Sequence, residues 1–111
     1  MDSRQVTKII TDLASELEKN DIPVDQIVLF GSWSSGMATD ESDIDIACVS
    51  PRFIGISLIE RHRIAGSSVR MIINKHRIPI DLIPLTPGEY VNEESQRMTF
   101  VRQGEKISLP I

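Results

Sequence analysis

Cysteine is almost missing from this chain: Cys48 stands alone in an apolar run, so no internal disulfide can form. A disulfide-stapled secreted scaffold is thereby excluded, and a reducing, cytoplasmic location is the default expectation. One cysteine with the isolated His62 and His76 gives no zinc-ligand spacing either. Positive charge is short, with 12 basic against 16 acidic residues and a net charge of −4. A general nucleic-acid binder needs a positive footprint to track phosphates, so that partner is not expected. A small phosphate-bearing ligand brought in by divalent cations remains compatible with this balance. No apolar stretch approaches the roughly 18 residues of a membrane span, and MDSRQVTKII lacks a signal-peptide core. Repeats, linkers and low-complexity tracts are absent as well. At 111 residues the expectation is one domain over 1–111 with a single modest core.

The patterning that is present alternates helix and strand signals. Val6, Ile9, Ile10, Leu13 and Leu17 fall on one helical face, predicting an amphipathic helix over 3–20 closed by Asn20 and Pro23. Ile27–Phe30 reads as a short strand, apolar throughout and hence central. Gly31 allows a tight exit, and Ser32 is expected to cap a helical turn reaching Ser35. After a loop, Asp43–Val49 is a second strand with Asp43, Asp45, Ala47 and Val49 on one face and Ile44, Ile46 and Cys48 on the other. Ser57 and Glu60 form a capping pattern for a helix to about Asn74, with Leu58, His62, Ala65, Val69, Ile72 and Ile73 as its inner stripe. Gly66-Ser67-Ser68 could break it. Ile78–Leu85 is a third strand with Pro79 and Pro84 near its ends. Thr86-Pro87-Gly88-Glu89 starts a last helix, expected to run to Gln103, and Lys106–Leu109 is a short edge strand. This order predicts an α+β (mixed α/β) fold, a small mixed sheet with helices mainly on one face.

Acids inside apolar strands are costly unless a cation balances them. Same-face residues of a strand stand about 6.6 Å apart, twice its rise, and magnesium takes oxygen ligands in sites whose paired ions lie about 3.5–4 Å apart. Asp43 and Asp45 are spaced to clamp such ions, and Asp81, within IPIDLIPL, adds a third carboxylate if its strand lies alongside. Without a cation the three would raise one another's pKa values. Gly31-Ser32 lets a phosphate approach the backbone amides of the following turn. Other motifs fit worse. Gly31 and Gly36 have P-loop spacing, but Met37-Ala38 stands where Lys-Ser/Thr is needed. Ser32 directly follows its glycine, unlike a nucleophile elbow. Trp33 is either a stacking platform or packing at the sheet edge, and Tyr90, Met98 and Phe100 are core or a partner surface.

An apolar strand, Gly31-Ser32, ten residues, Asp43-Ile44-Asp45 and a later lone acid, Asp81, together resemble the nucleotidyltransferase superfamily of DNA polymerase beta, in its minimal (MNT) members. The resemblance extends in outline over most of the chain. It implies the polymerase-beta catalytic-core fold, and Asp43, Asp45 and Asp81 as catalytic residues and ligands of Mg²⁺, two ions, with Asp81 helping to deprotonate an acceptor hydroxyl. Gly31 and Ser32 would hold the triphosphate, with ATP as the favoured nucleotide. Many minimal members carry a basic residue where this chain has Ser35, which leaves the phosphate charge to the metal alone or to another residue, with Arg52, Lys75 and Arg77 as candidates. By analogy with such members, the partner would be a small helical HEPN-type toxin whose tyrosine receives AMP, the chain acting as its antitoxin. The alternatives are a weakly catalytic module that neutralises its partner by binding, and a small-molecule (antibiotic) nucleotidyltransferase.

Overall fold

The computed structural model describes residues 1–109, the Arg97 side chain excepted. The first helix, α1 (Ser3–Lys19), buries Val6, Ile9, Ile10, Leu13, Ala14 and Leu17. Asp2 opens it through a reciprocal capping box with Gln5, satisfying two otherwise orphaned amides. Strand β1 (Gln26–Phe30) leads through Gly31 into a one-turn helix, α2 (Ser32–Ser35). Next come β2 (Ile44–Val49), a 3₁₀ turn at Pro51–Phe53, α3 (Leu58–His76) and β3 (Ile80–Leu85). The chain continues through α4 (Pro87–Asn92), α5 (Gln96–Arg102) and β4 (Glu105–Ile107).

The four strands form one mixed α+β sheet in the order β3-β2-β1-β4, with β2 and β3 parallel and the other pairs antiparallel. Alternation along β2 sorts the two faces. Ile44, Ile46 and Cys48 join the larger core under α1 and α3, whereas Ala47 and Val49 join Val28, Ile83 and Leu85 under Met98 and Val101 of α5. The two long helices therefore share one face, and α4 and α5 shield only part of the other. Burial pushes the Cys48 thiol up to about 12, so it behaves as a small apolar side chain rather than a nucleophile.

Two helices differ from the sequence pattern. The inner stripe of α3 is Ala65, Ser68 and Ile72, while Leu58 and His62 face solvent. A serine holds an inward position because Asn20 Nδ2 donates to its hydroxyl at 2.7 Å, and that hydroxyl donates to the Glu16 carbonyl. The same bonds dock the Gly66–Ser68 segment on α1, and α3 runs through it unbroken. The last helix is divided into α4 and α5. Glu93 adopts extended backbone, and Ser95 recaps the chain by accepting from the Met98 amide, a local option that competes with continuing the helix.

Arg61 ties α3 to α4. Its guanidinium donates to Glu89 at 2.6 Å and to the carbonyls of Ile56 and Pro84. The Arg61 bond holds the Glu89 carboxyl below its ordinary range; burial opposes this, and bonds from Thr86 add to it. Glu89 is 36% exposed, so Arg61→Ala is expected to cost less than the roughly 3–5 kcal/mol of a fully buried pair, about 2 kcal/mol by urea unfolding. Because the Glu89 pKa is depressed on folding, this contribution is present above its unfolded value and lost as pH falls through the folded one. The stability difference between wild type and variant should therefore shrink in acid.

Candidate active site

The sheet register decides which acids meet. Asp45 pairs with Asp81 across the parallel β2–β3 ladder and with Phe30 across the antiparallel β1–β2 ladder. Neighbouring strands lie about 4.8 Å apart, so the Asp45 and Asp81 side chains rise side by side from one face. Asp43 lies one residue before β2, two residues from Asp45. All three stand towards the end of this face beyond the Val28, Ala47 and Ile83 cluster covered by α5. Asp43 and Asp81 are exposed, and Asp45 is half-buried between them.

Electrostatics single out Asp45. Burial raises its pKa first, and the negative charges of Asp81 and then Asp43 raise it further. The charges of both neighbours thus reach Asp45, and an oxygen-only donor set of this kind suits a hard cation such as Mg²⁺. Among the described residues, however, no three ligating side chains are gathered into a ready-made metal cage. The site is an open fence of acids.

Gly31 makes that arrangement possible. Its backbone, φ 72° and ψ −150°, belongs to a region essentially restricted to glycine. A Cβ added there would lie 2.4 Å from Asp45 Oδ2, so the missing side chain is what leaves room for the carboxylate. Gly31, not Ser32, is the N-cap of α2, and it offers no side-chain cap. Ser32 already has helical backbone, and the cap must be the residue that does not. The Gly31 carbonyl accepts from the Ser34 and Ser35 amides, which closes the turn.

The Trp33 ring packs against the larger core and its Nε1 donates to the Ser42 carbonyl at 3.2 Å. That bond fastens α2 to the loop leading into Asp43. Ser42 in turn accepts from the Thr39 amide, so it is a loop tie.

The three possible counter-charges separate clearly. Arg52 follows the far end of β2, and Lys75 is paired with Asp12 of α1 at 3.3 Å. Arg77, the C-cap of α3, lies at the acids' end of the sheet, since it precedes Pro79, whose carbonyl receives the Ile44 amide. Sequence reasoning did not anticipate a cavity of about 550 Å³ beside Gly31, walled by Phe30 and Phe100. The one available signal was that Phe100 falls off the Met98–Val101 stripe.

A family model described as the nucleotidyltransferase domain matches residues 7–101. No curated protein sequence matches the chain. Among solved structures, a candidate nucleotidyltransferase from Sulfolobus solfataricus superposes with a TM-score of 0.61 at 23% identity, covering 77% of this chain and 70% of the other. A toxin–antitoxin structure with AMP-PNP matches with a TM-score of 0.61 at 24% identity, covering 94% and 73% of the two chains. A mutant MntA–HpeT toxin–antitoxin structure, with two aspartates two positions apart changed to glutamate, gives 0.58 at 23% identity over 93% and 72%. At these identities the likeness is one of fold.

Proposed function

Because the chain belongs to the nucleotidyltransferase domain family, we propose that it transfers a nucleoside monophosphate, AMP from ATP, to a hydroxyl group. The observation that carries this reading is Asp45 and Asp81 paired in register beside a glycine whose missing side chain leaves space at the carboxylate. Asp43, Asp45 and Asp81 would hold Mg²⁺, which when bound neutralises phosphate charge and stabilises the attacking and leaving oxygens. Gly31 and Ser32 lie where the phosphates approach the backbone of α2. Asp81 flanks Asp45 on the β3 side and takes the proton of the acceptor hydroxyl. The hydroxyl oxygen bonds to the α-phosphorus, the bridging bond to the β-phosphate breaks, and pyrophosphate leaves.

A protein hydroxyl, the tyrosine of a small helical HEPN-type toxin, is the acceptor that this reading favours. Two relatives by fold are toxin–antitoxin structures, one with a nucleotide analogue and one altered at two aspartates spaced like Asp43 and Asp45. The chain would then act as the antitoxin. A second reading is a module that neutralises its partner by binding, with little chemistry. Ser35, standing where a cation is expected, favours it.

The test incubates the chain with Mg²⁺, ATP labelled at the α-phosphate and the product of the adjacent reading frame. Label on that neighbour, absent when Mg²⁺ is chelated, is the expected result. A tight complex with no label would sink the enzymatic reading and leave the binding one.

A further inference from the structure

The face that carries Asp45 does not end at the acids. Phe30 lies directly across from Asp45, and beyond it the cavity of about 550 Å³ opens between α2 and the end of α5. Ser35, Gln103 and Gly104 line it together with Gly31 and the rings of Phe30 and Phe100. Phe100 is 57% exposed, although Met98 and Val101 of the same helix are buried. A large ring left off the buried stripe and opening on a cavity is free to receive a ligand. The side chains lining it among the described residues carry no charge, so it offers phosphate or metal no counter-charge. A neutral, flat group with polar edges suits it better. Aromatic rings stack on any nucleobase, and the Gln103 amide can both donate and accept at the base's edge.

We infer that this cavity is a nucleobase subsite, in which the base of a nucleoside triphosphate stacks on Phe100 beside Phe30 while its phosphates reach across to Asp45. The inference rests on the nucleotidyl-transfer reading above and adds where and how the nucleotide is recognised. Strands β1 and β2 are about 4.8 Å apart, so a ribose and one phosphate suffice to bridge cavity and carboxylates. The volume also lies within the roughly 300–1,000 Å³ typical of small-molecule sites.

The test measures, by calorimetry in Mg²⁺, binding of each of the four ribonucleoside triphosphates and of inorganic tripolyphosphate to the full chain. Phe100→Ala should weaken the tightest nucleotide about tenfold, the scale of one lost stacking contact, and Phe100→Trp should retain it. Tripolyphosphate affinity should be the same in all three proteins. Gln103→Ala should narrow the differences among the four bases. Equal nucleotide affinity in wild type and Phe100→Ala overturns the subsite while the nucleotide reading stands. If tripolyphosphate weakens in parallel, the ring acts through the fold and the subsite is likewise overturned. Failure of every triphosphate to bind the wild type overturns both.

Discussion

Asp45→Asn is expected to reduce nucleotidyl transfer by more than about a hundredfold, since loss of even an outer-shell partner of a metal costs 10–100-fold. The same substitution should raise the melting temperature of the metal-free chain. Burial and the charges of Asp81 and Asp43 raise the Asp45 pKa, so its ionised form is disfavoured by folding. An acid whose folded pKa exceeds its unfolded value binds more protons when folded, and stability then falls as pH rises through that interval. The penalty is fully present above the folded pKa and is relieved as pH drops through it towards the unfolded one. Asparagine removes the charge while keeping the shape, so it removes the penalty. A cation bound only by the folded state stabilises by mass action, so Mg²⁺ should raise the melting temperature of wild type far more than that of Asp45→Asn. Calorimetry at pH 7 and pH 5, with and without Mg²⁺, checks each part. A variant less stable than wild type in metal-free buffer would show that Asp45 is a structural carboxylate, contrary to this account.

The acids were legible in the sequence because they violate a rule that most of the chain obeys. Ile44, Ile46 and Cys48 alternate with Asp45 as a half-buried strand must, and a carboxylate at the face bordering Ala47 is costly without a partner. The parallel β2–β3 pairing that aligns Asp45 with Asp81 agrees with the helix lying between those strands, since a parallel pair needs a long crossover. Less legible were features set by tertiary contacts. Ser68 faces inward only because Asn20 and Glu16 of the first helix and its C-cap satisfy it, and no local pattern marks that. The break before α5 depended on Ser95 winning a local competition that helix propensity alone does not decide. The cavity beside Phe100 requires knowing that α5 crosses the same face as Asp45 and stops short of its end, a matter of packing between segments far apart in sequence. Composition limited the partners, but it could not say which cation shares an end of the sheet with the acids; strand direction does, putting Arg77 at their end and Arg52 at the other.

Gly31→Ala should damage both fold and activity, and the two losses have separable causes. The backbone at φ 72° and ψ −150° costs a non-glycine residue about 1–3 kcal/mol wherever it occurs. A methyl group there also meets Asp45 Oδ2 at 2.4 Å, and the carboxylate must turn away from its place beside Asp81. Transfer should therefore fall by roughly two orders of magnitude, comparable to loss of a transition-state contact, even where the variant remains folded. The collision predicts a coupling that backbone strain does not. In a Gly31→Ala, Asp45→Ala double variant the clashing oxygen is gone, and the combined destabilisation should be smaller than the sum of the single effects by about 1 kcal/mol, within the range seen for touching residues. The φ penalty remains, so the double variant should stay less stable than Asp45→Ala alone. Urea unfolding of the four proteins at pH 7 measures both quantities. Strict additivity would mean that the methyl group finds another way past the carboxylate, and that Gly31 is required by its backbone angle and not by the acid it makes room for.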